Sequence, residues 1–179
     1  MNAQEPDVWR RPPASSLLAA VLLIACAEVS GASMVKFKIE LTRWARAAIL
    51  ARPTTHGLVG VRDVDEGVID QMLVKFDGAL RLFHLHGEGM GLVIIATTMT
   101  AATVVRRSTA RRAIIALLTV GGAGYPLGYL LWGALIPHYG IERGKALAEW
   151  IVWIPFGGAT IAAVWWLAAI LGLRLARRA

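Results

Sequence analysis

The chain has 179 residues, 56% of them hydrophobic, with a formal net charge of +7 and a single cysteine, and its mean hydropathy is +0.56. That is more apolar surface than a soluble domain of this size can cover, and one cysteine, Cys26, excludes an internal disulfide framework or a multi-cysteine cluster. The positive charge accordingly reads as membrane topology and contact with anionic lipid, with no nucleic acid implied.

Residues 1–14 are polar and proline-containing and read as a short cytoplasmic tail. A first span is expected over about 15–34, ending in a polar run with Glu28, Ser30, Gly31 and Ser33. Arg10-Arg11 followed by Leu17 to Ala27 resembles a signal peptide, and Leu23-Ile24-Ala25-Cys26 resembles a lipoprotein processing site; a signal anchor retained as the first helix is the alternative.

An outer loop follows over 35–86. Val35 to Arg52 mixes Phe37, Ile39, Leu41 and Trp44 with Lys36, Lys38, Arg43 and Arg46, which suits either an interfacial helix or a continuation of the first helix beyond the bilayer. Pro53 to Asp65 carries turn formers and reads as loop. From Glu66 the positions Val68, Ile69, Met72, Leu73, Phe76, Ala79, Leu80 and Phe83 repeat at three and four, an amphipathic helix running into the second span.

That second span, about 87–105, opens on His84-Leu85-His86-Gly87-Glu88-Gly89-Met90. Residues four apart share a helix face, so His84 pairs with Glu88 and His86 with Met90, on different faces. A carboxylate beside a histidine fixes its tautomer, as around a metal-bound imidazole. His86 with Met90 offers soft donors for copper, or one axial ligand for a haem. The two cannot both ligate one haem iron, so the second ligand must come from another segment, with His138 the natural choice and Met34 and His56 weaker ones. Gly87, Gly89 and Gly91 spell G-x-G-x-G with no preceding strand; they point to room for a flat ligand or a neighbouring helix, not to nucleotide binding.

The third span, about 113–137, carries Gly121, Gly122, Gly124 and Gly128 around Tyr125 and Pro126, a pattern for close packing and a kink. The fourth, about 146–173, has Pro155 before Gly157 and Gly158. Trp132, Trp150 and Trp153 suit an outer interfacial belt, and Trp165 and Trp166 an inner one. Residues 174–179 form a basic tail. Arg10 and Arg11, then Arg106, Arg107, Arg111 and Arg112, then Arg174, Arg177 and Arg178 fall on one side of four spans. The expected fold is therefore an all-α integral membrane protein, a four-helix bundle with both termini cytoplasmic, in a bacterial inner membrane.

Counting from Arg106 back to His86 covers roughly 30 Å of helix, which places His86 at the outer edge of the hydrocarbon. A count along the third span from Arg112 places His138 at the same level, joined by Met34, Glu28 and Glu149. Glu28, Glu88 and Glu149 are candidates for proton handling or for orienting ligands, since ionisable groups within spans are costly. No serine or cysteine nucleophile with its base is found, and no zinc-protease spacing.

His86-Gly87-x-x-Met90 leading into an apolar helix resembles the second transmembrane helix of haem-copper oxidase catalytic subunits. In that family a histidine in this context binds the low-spin haem near the outer side, so the resemblance implies that His86 is an axial ligand. Four spans replace about twelve, and the fourth helix lacks an intramembrane histidine, so oxygen reduction is not implied. The expected function is a haem b- or copper-binding electron-transfer subunit of a larger redox complex, working with other membrane subunits and a quinol. The alternatives are a cofactor-free accessory or scaffolding subunit packing through glycine-rich helices, and a small transporter or channel.

Overall fold

The computed structural model describes residues 10–177, so Met1 to Trp9 of the expected tail and Arg178 lie outside the described residues. Every regular element in that range is helical. Four helical stretches are long and apolar enough to cross a membrane: Ala14–Lys36, Arg62–Val104, Ser108–Tyr139 and Ile141–Ala176.

Helix α1 (Ala14–Lys36) starts after Pro13, whose carbonyl accepts from the Ser16 and Leu17 amides. It breaks at Phe37 and resumes as α2 (Lys38–Leu50). The two run antiparallel along α4 (Arg62–Val104): His84 lies over Gly31, Trp44 meets Phe76 at 6.0 Å between ring centroids, and Ile49 clusters with Ile69 and Met72. The segment 38–50 thus continues the course of α1 along α4 after the break at Phe37. At 1.5 Å per residue α4 is about 64 Å long, twice the hydrocarbon thickness, so its first half stands outside any bilayer that contains its second. The expected amphipathic repeat is observed, with Ile69, Met72, Phe76, Ala79 and Phe83 all buried.

Residues 53–65 are not all loop. Pro53 opens one helical turn, α3 (Pro53–His56), stopped by Gly57 at φ +69°. The Asp65 carboxylate accepts from the Val59 amide at 2.8 Å and the Gly60 amide at 2.9 Å, folding the segment onto the start of α4. Asp65→Ala removes both acceptors; losing roughly 1 kcal/mol of local order should make tryptic cleavage after Arg62 about fivefold faster. Limited proteolysis measures this, and an unchanged rate would mean that water replaces the carboxylate without loss.

The third stretch divides into α5 (Ser108–Gly124) and α6 (Leu127–Tyr139) at Pro126, which has no N–H to donate; the Gly128 and Tyr129 amides instead bond three residues back, to Tyr125 and Pro126. Gly140, at φ +83°, reverses the chain into α7 (Ile141–Ala148). A π-helical segment, Glu149–Gly157 with Pro155 inside it, then leads into α8 (Gly158–Ala176). Three apolar clusters follow the bundle axis: Ile114, Leu118, Ala163 and Leu167 near the arginine-rich end, Ala20, Leu23 and Ile94 in the middle, and Ile49, Ile69, Met72 and Ile136 at the far end.

Glycine sets the close approaches, and each is filled by a helix of this chain. A Cβ at Gly87 would stand 2.7 Å from that of Ala27, and one at Gly91 would collide with Ile24, so both glycines seat α1 against α4. Gly89, between them, has nothing near. Gly121, Gly124 and Gly128 seat Thr160, Phe156 and Trp153 of the last stretch. The room expected around G-x-G-x-G is therefore taken by α1.

Candidate functional site

The polar run at 84–90 divides as its helical spacing requires. His84 Nδ1 lies 2.9 Å from the Ala27 carbonyl and 3.3 Å from Glu88 Oε1. Both neighbours accept, so Nδ1 carries the hydrogen and Nε2 the lone pair in the neutral ring. The ring covers Gly31, where any Cβ would strike it. It borders a cleft of about 650 Å³ whose wall also holds Glu28, Met34, Lys38, Asp77 and Arg81. The expected His84/Glu88 pair is thus formed, and Glu28 and Met34 lie on the same cleft.

His86 faces another way. Its Nδ1 is 2.9 Å from the Leu82 carbonyl, which accepts, so the hydrogen is again on Nδ1. Nε2 is left to take the Tyr129 hydroxyl at 3.4 Å, a long hydrogen bond, with the two rings 4.5 Å apart between centroids. Tyr129 and Tyr125 hydroxyls are 3.0 Å apart. Since Tyr129 donates to His86, Tyr125 must donate to Tyr129, and the Tyr125 oxygen ends the chain as an acceptor. Trp153 packs on Tyr129 at 4.9 Å and Trp132 on Trp153 at 6.2 Å. These aromatic groups, with Lys145 and Glu149, line a cleft of about 580 Å³. Glu149 therefore stands at the mouth of the His86 network, on the solvent side.

His138 does not share this level. Its ring meets Trp44 at 5.8 Å, and Trp44 also touches Phe76. Phe76 precedes His86 by ten residues on α4, so His138 lies about 15 Å farther along the bundle. The reason is plain from the chain itself: Arg112 to His138 is a longer run than Arg106 to His86, and the extra turns carry α6 past the apolar zone. His56, also distant, is buried with Nε2 3.1 Å from the Pro137 carbonyl, an anchor for the end of α6. Met90 packs with Ala20, Leu23 and Ile94, and its methyl lies 3.3 Å from where a Cβ at Gly122 would stand, just behind Ile94.

These positions do not fit a haem held between two ligands of this chain. His86 Nε2 is covered by Tyr129, His138 is about ten α4 residues away, and Met90 is turned into the core. Nor do the described residues include a group of three or more His, Cys, Asp or Glu side chains able to hold a metal ion. What they do build is a hydrogen-bonded His–Tyr–Tyr chain behind an aromatic cleft. Sequence reasoning missed Tyr129. Its spacing of four from Tyr125, just past the Pro126 break, is the signal that both hydroxyls share a face.

The class that fold and site define is an all-helical chain with four helices able to cross a membrane and a histidine–tyrosine chain between two of them. No protein-family model, curated protein or solved structure matches it.

Proposed function

We propose that this is an integral protein of a bacterial inner membrane, with four spans and both ends cytoplasmic, and that it binds a hydroquinone-class ring as a subunit of a larger redox complex. The carrying observation is the directed chain Tyr125–Tyr129–His86 ending at the aromatic cleft. A flat ring stacks against Tyr129 and Trp153, and a ligand hydroxyl donates to the Tyr125 oxygen. Each hydroxyl then hands a proton inward toward His86 Nε2, the base at the end of the path. Lys145 and Glu149 give the mouth one charge of each sign. In this reading His86 acts on a proton rather than on a metal.

The test is anaerobic titration of purified protein with duroquinol, followed by tryptophan fluorescence. Saturable quenching is expected, and Trp153→Leu should weaken it about tenfold, the equivalent of roughly 1.4 kcal/mol of stacking. Quenching that rises linearly with ligand and ignores the substitution would be partitioning into detergent and would remove the proposal.

A second reading is a cofactor-free accessory subunit that packs on partner helices through its glycine-rich spans; the close approaches are taken by this chain's own helices, so it is left with the open glycines Gly89, Gly158 and Gly172. It predicts no saturable ring binding, and assembly with partners that survives His86→Ala. The same titration separates the two.

A further inference from the structure

At the end of the bundle opposite the His86 cleft, a groove of about 670 Å³ runs between the start of α1 and the first turns of α5. Arg10 and Arg11 come to its rim from the segment before α1, tied down by the Arg10 amide donating to Thr103 Oγ1 at 2.9 Å. Arg111 and Arg112 reach it from α5. Arg111 is half-buried, with one guanidinium nitrogen 3.4 Å from the Val105 carbonyl, so the planar group is held in place while its remaining donors stay available. Among the described residues no carboxylate forms an ion pair with any of these four.

The floor of the groove is apolar. Ala102 and Ile115 close it from below, and Ala116 and Val120 continue it along the outside of α5, with Val120 59% exposed. Ser16, which would otherwise add a free hydroxyl, is buried and already bonded to Thr119 at 2.8 Å. Four guanidinium groups over an open apolar channel are chemistry for a ligand that is anionic at one end and hydrocarbon at the other.

We propose that this groove binds one anionic phospholipid of the surrounding bilayer, its phosphate held by Arg10, Arg11, Arg111 and Arg112 and an acyl chain lying along Ile115, Ala116 and Val120. The proposal rests on membrane residence but not on ring binding at the other end. Charge complementarity selects the lipid class: four positive charges, one of them held in place at Arg111, favour phosphatidylglycerol or cardiolipin over a zwitterionic headgroup. A second groove at the same end also has four arginines at its lining, Arg106, Arg107, Arg174 and Arg177, with Trp166 and Leu173, but only about 360 Å³ of space; it is the comparison for charge without equal room for a lipid.

Native mass spectrometry of the full chain, delipidated in detergent and supplied with cardiolipin, phosphatidylglycerol or phosphatidylcholine, tests this. One anionic lipid should be retained and phosphatidylcholine should not. R111Q/R112Q should weaken retention about tenfold, the loss of charged hydrogen bonds, and R106Q/R107Q less than about twofold. Ala116→Trp, on an exposed position, should also expel the lipid while leaving every arginine in place. An unaltered melting temperature in detergent for R111Q/R112Q would show that the bundle is still folded. Equal losses from both arginine pairs would mean diffuse surface charge and overturn the proposal. So would full retention in Ala116→Trp, or displacement of the lipid by millimolar inorganic phosphate.

Discussion

Gly121→Val should be the most damaging single substitution in the spans, lowering the melting temperature in detergent by about 10 °C, which corresponds to roughly 3 kcal/mol for a chain of this length. A Cβ at Gly121 would stand 2.6 Å from Thr160 Oγ1, 2.7 Å from the Phe156 carbonyl oxygen and 2.9 Å from the Thr160 amide nitrogen. Two of those three atoms are backbone and cannot rotate aside. The Phe156 carbonyl also accepts the Thr160 hydroxyl at 3.0 Å, which fixes it further. Relief requires α5 and the last stretch to separate, and between apolar helices in lipid little besides close packing holds them together. Gly89→Val is the matched control, since nothing lies within 4 Å of its Cβ and the substitution should shift the melt by no more than about 2 °C. A Gly121→Val protein that melts like Gly89→Val would show that α5 and the last stretch do not pack this closely.

The contrast between those two glycines marks what a sequence can and cannot disclose here. Helical class and four apolar stretches follow from composition and run length alone, because a bilayer-sized segment must satisfy its own backbone hydrogen bonds. The amphipathic run from Ile69 to Phe83 follows from its period. A glycine, by contrast, announces that something comes close without saying what. Gly87 and Gly91 serve α1, whereas Gly121, Gly124 and Gly128 serve the last stretch, and only the tertiary arrangement distinguishes them.

Depth fails for a related reason. Arg112 to His138 is six residues longer than Arg106 to His86, about 9 Å of helix, so His138 outruns the apolar zone and lands beside Trp44 instead of His86. The local pattern did single out His84 with Glu88, because a spacing of four is a contact within one helix. The partner of His86 was invisible in the same pattern. Tyr129 lies forty-three residues away, and an interfacial tyrosine ordinarily needs no explanation beyond the belt.

If the cleft binds a hydroquinone as proposed, His86→Phe is expected to preserve the bundle and abolish a preference for hydroquinone over quinone. Phenylalanine keeps an aromatic ring against Tyr129, where the imidazole now lies 4.5 Å away, so packing changes little. It removes the Nε2 acceptor. In the native chain the Leu82 carbonyl holds the hydrogen on Nδ1, Nε2 draws the Tyr129 O–H, and Tyr129 draws the Tyr125 O–H. The Tyr125 oxygen is therefore left as an acceptor, which would suit a ligand hydroxyl and leave a carbonyl unpaired. Without Nε2 the Tyr129 hydroxyl is free to donate outward, and both tyrosines can reverse. One well-made neutral hydrogen bond is worth about 1 kcal/mol, so duroquinol should bind native protein about fivefold more tightly than duroquinone, and His86→Phe should bring that ratio close to one. Parallel anaerobic titrations of both forms against both proteins measure it. A ratio near one in the native protein would mean that His86 does not direct the hydroxyl chain, and an unchanged preference in His86→Phe would assign the selectivity to Lys145 or Glu149 at the mouth instead.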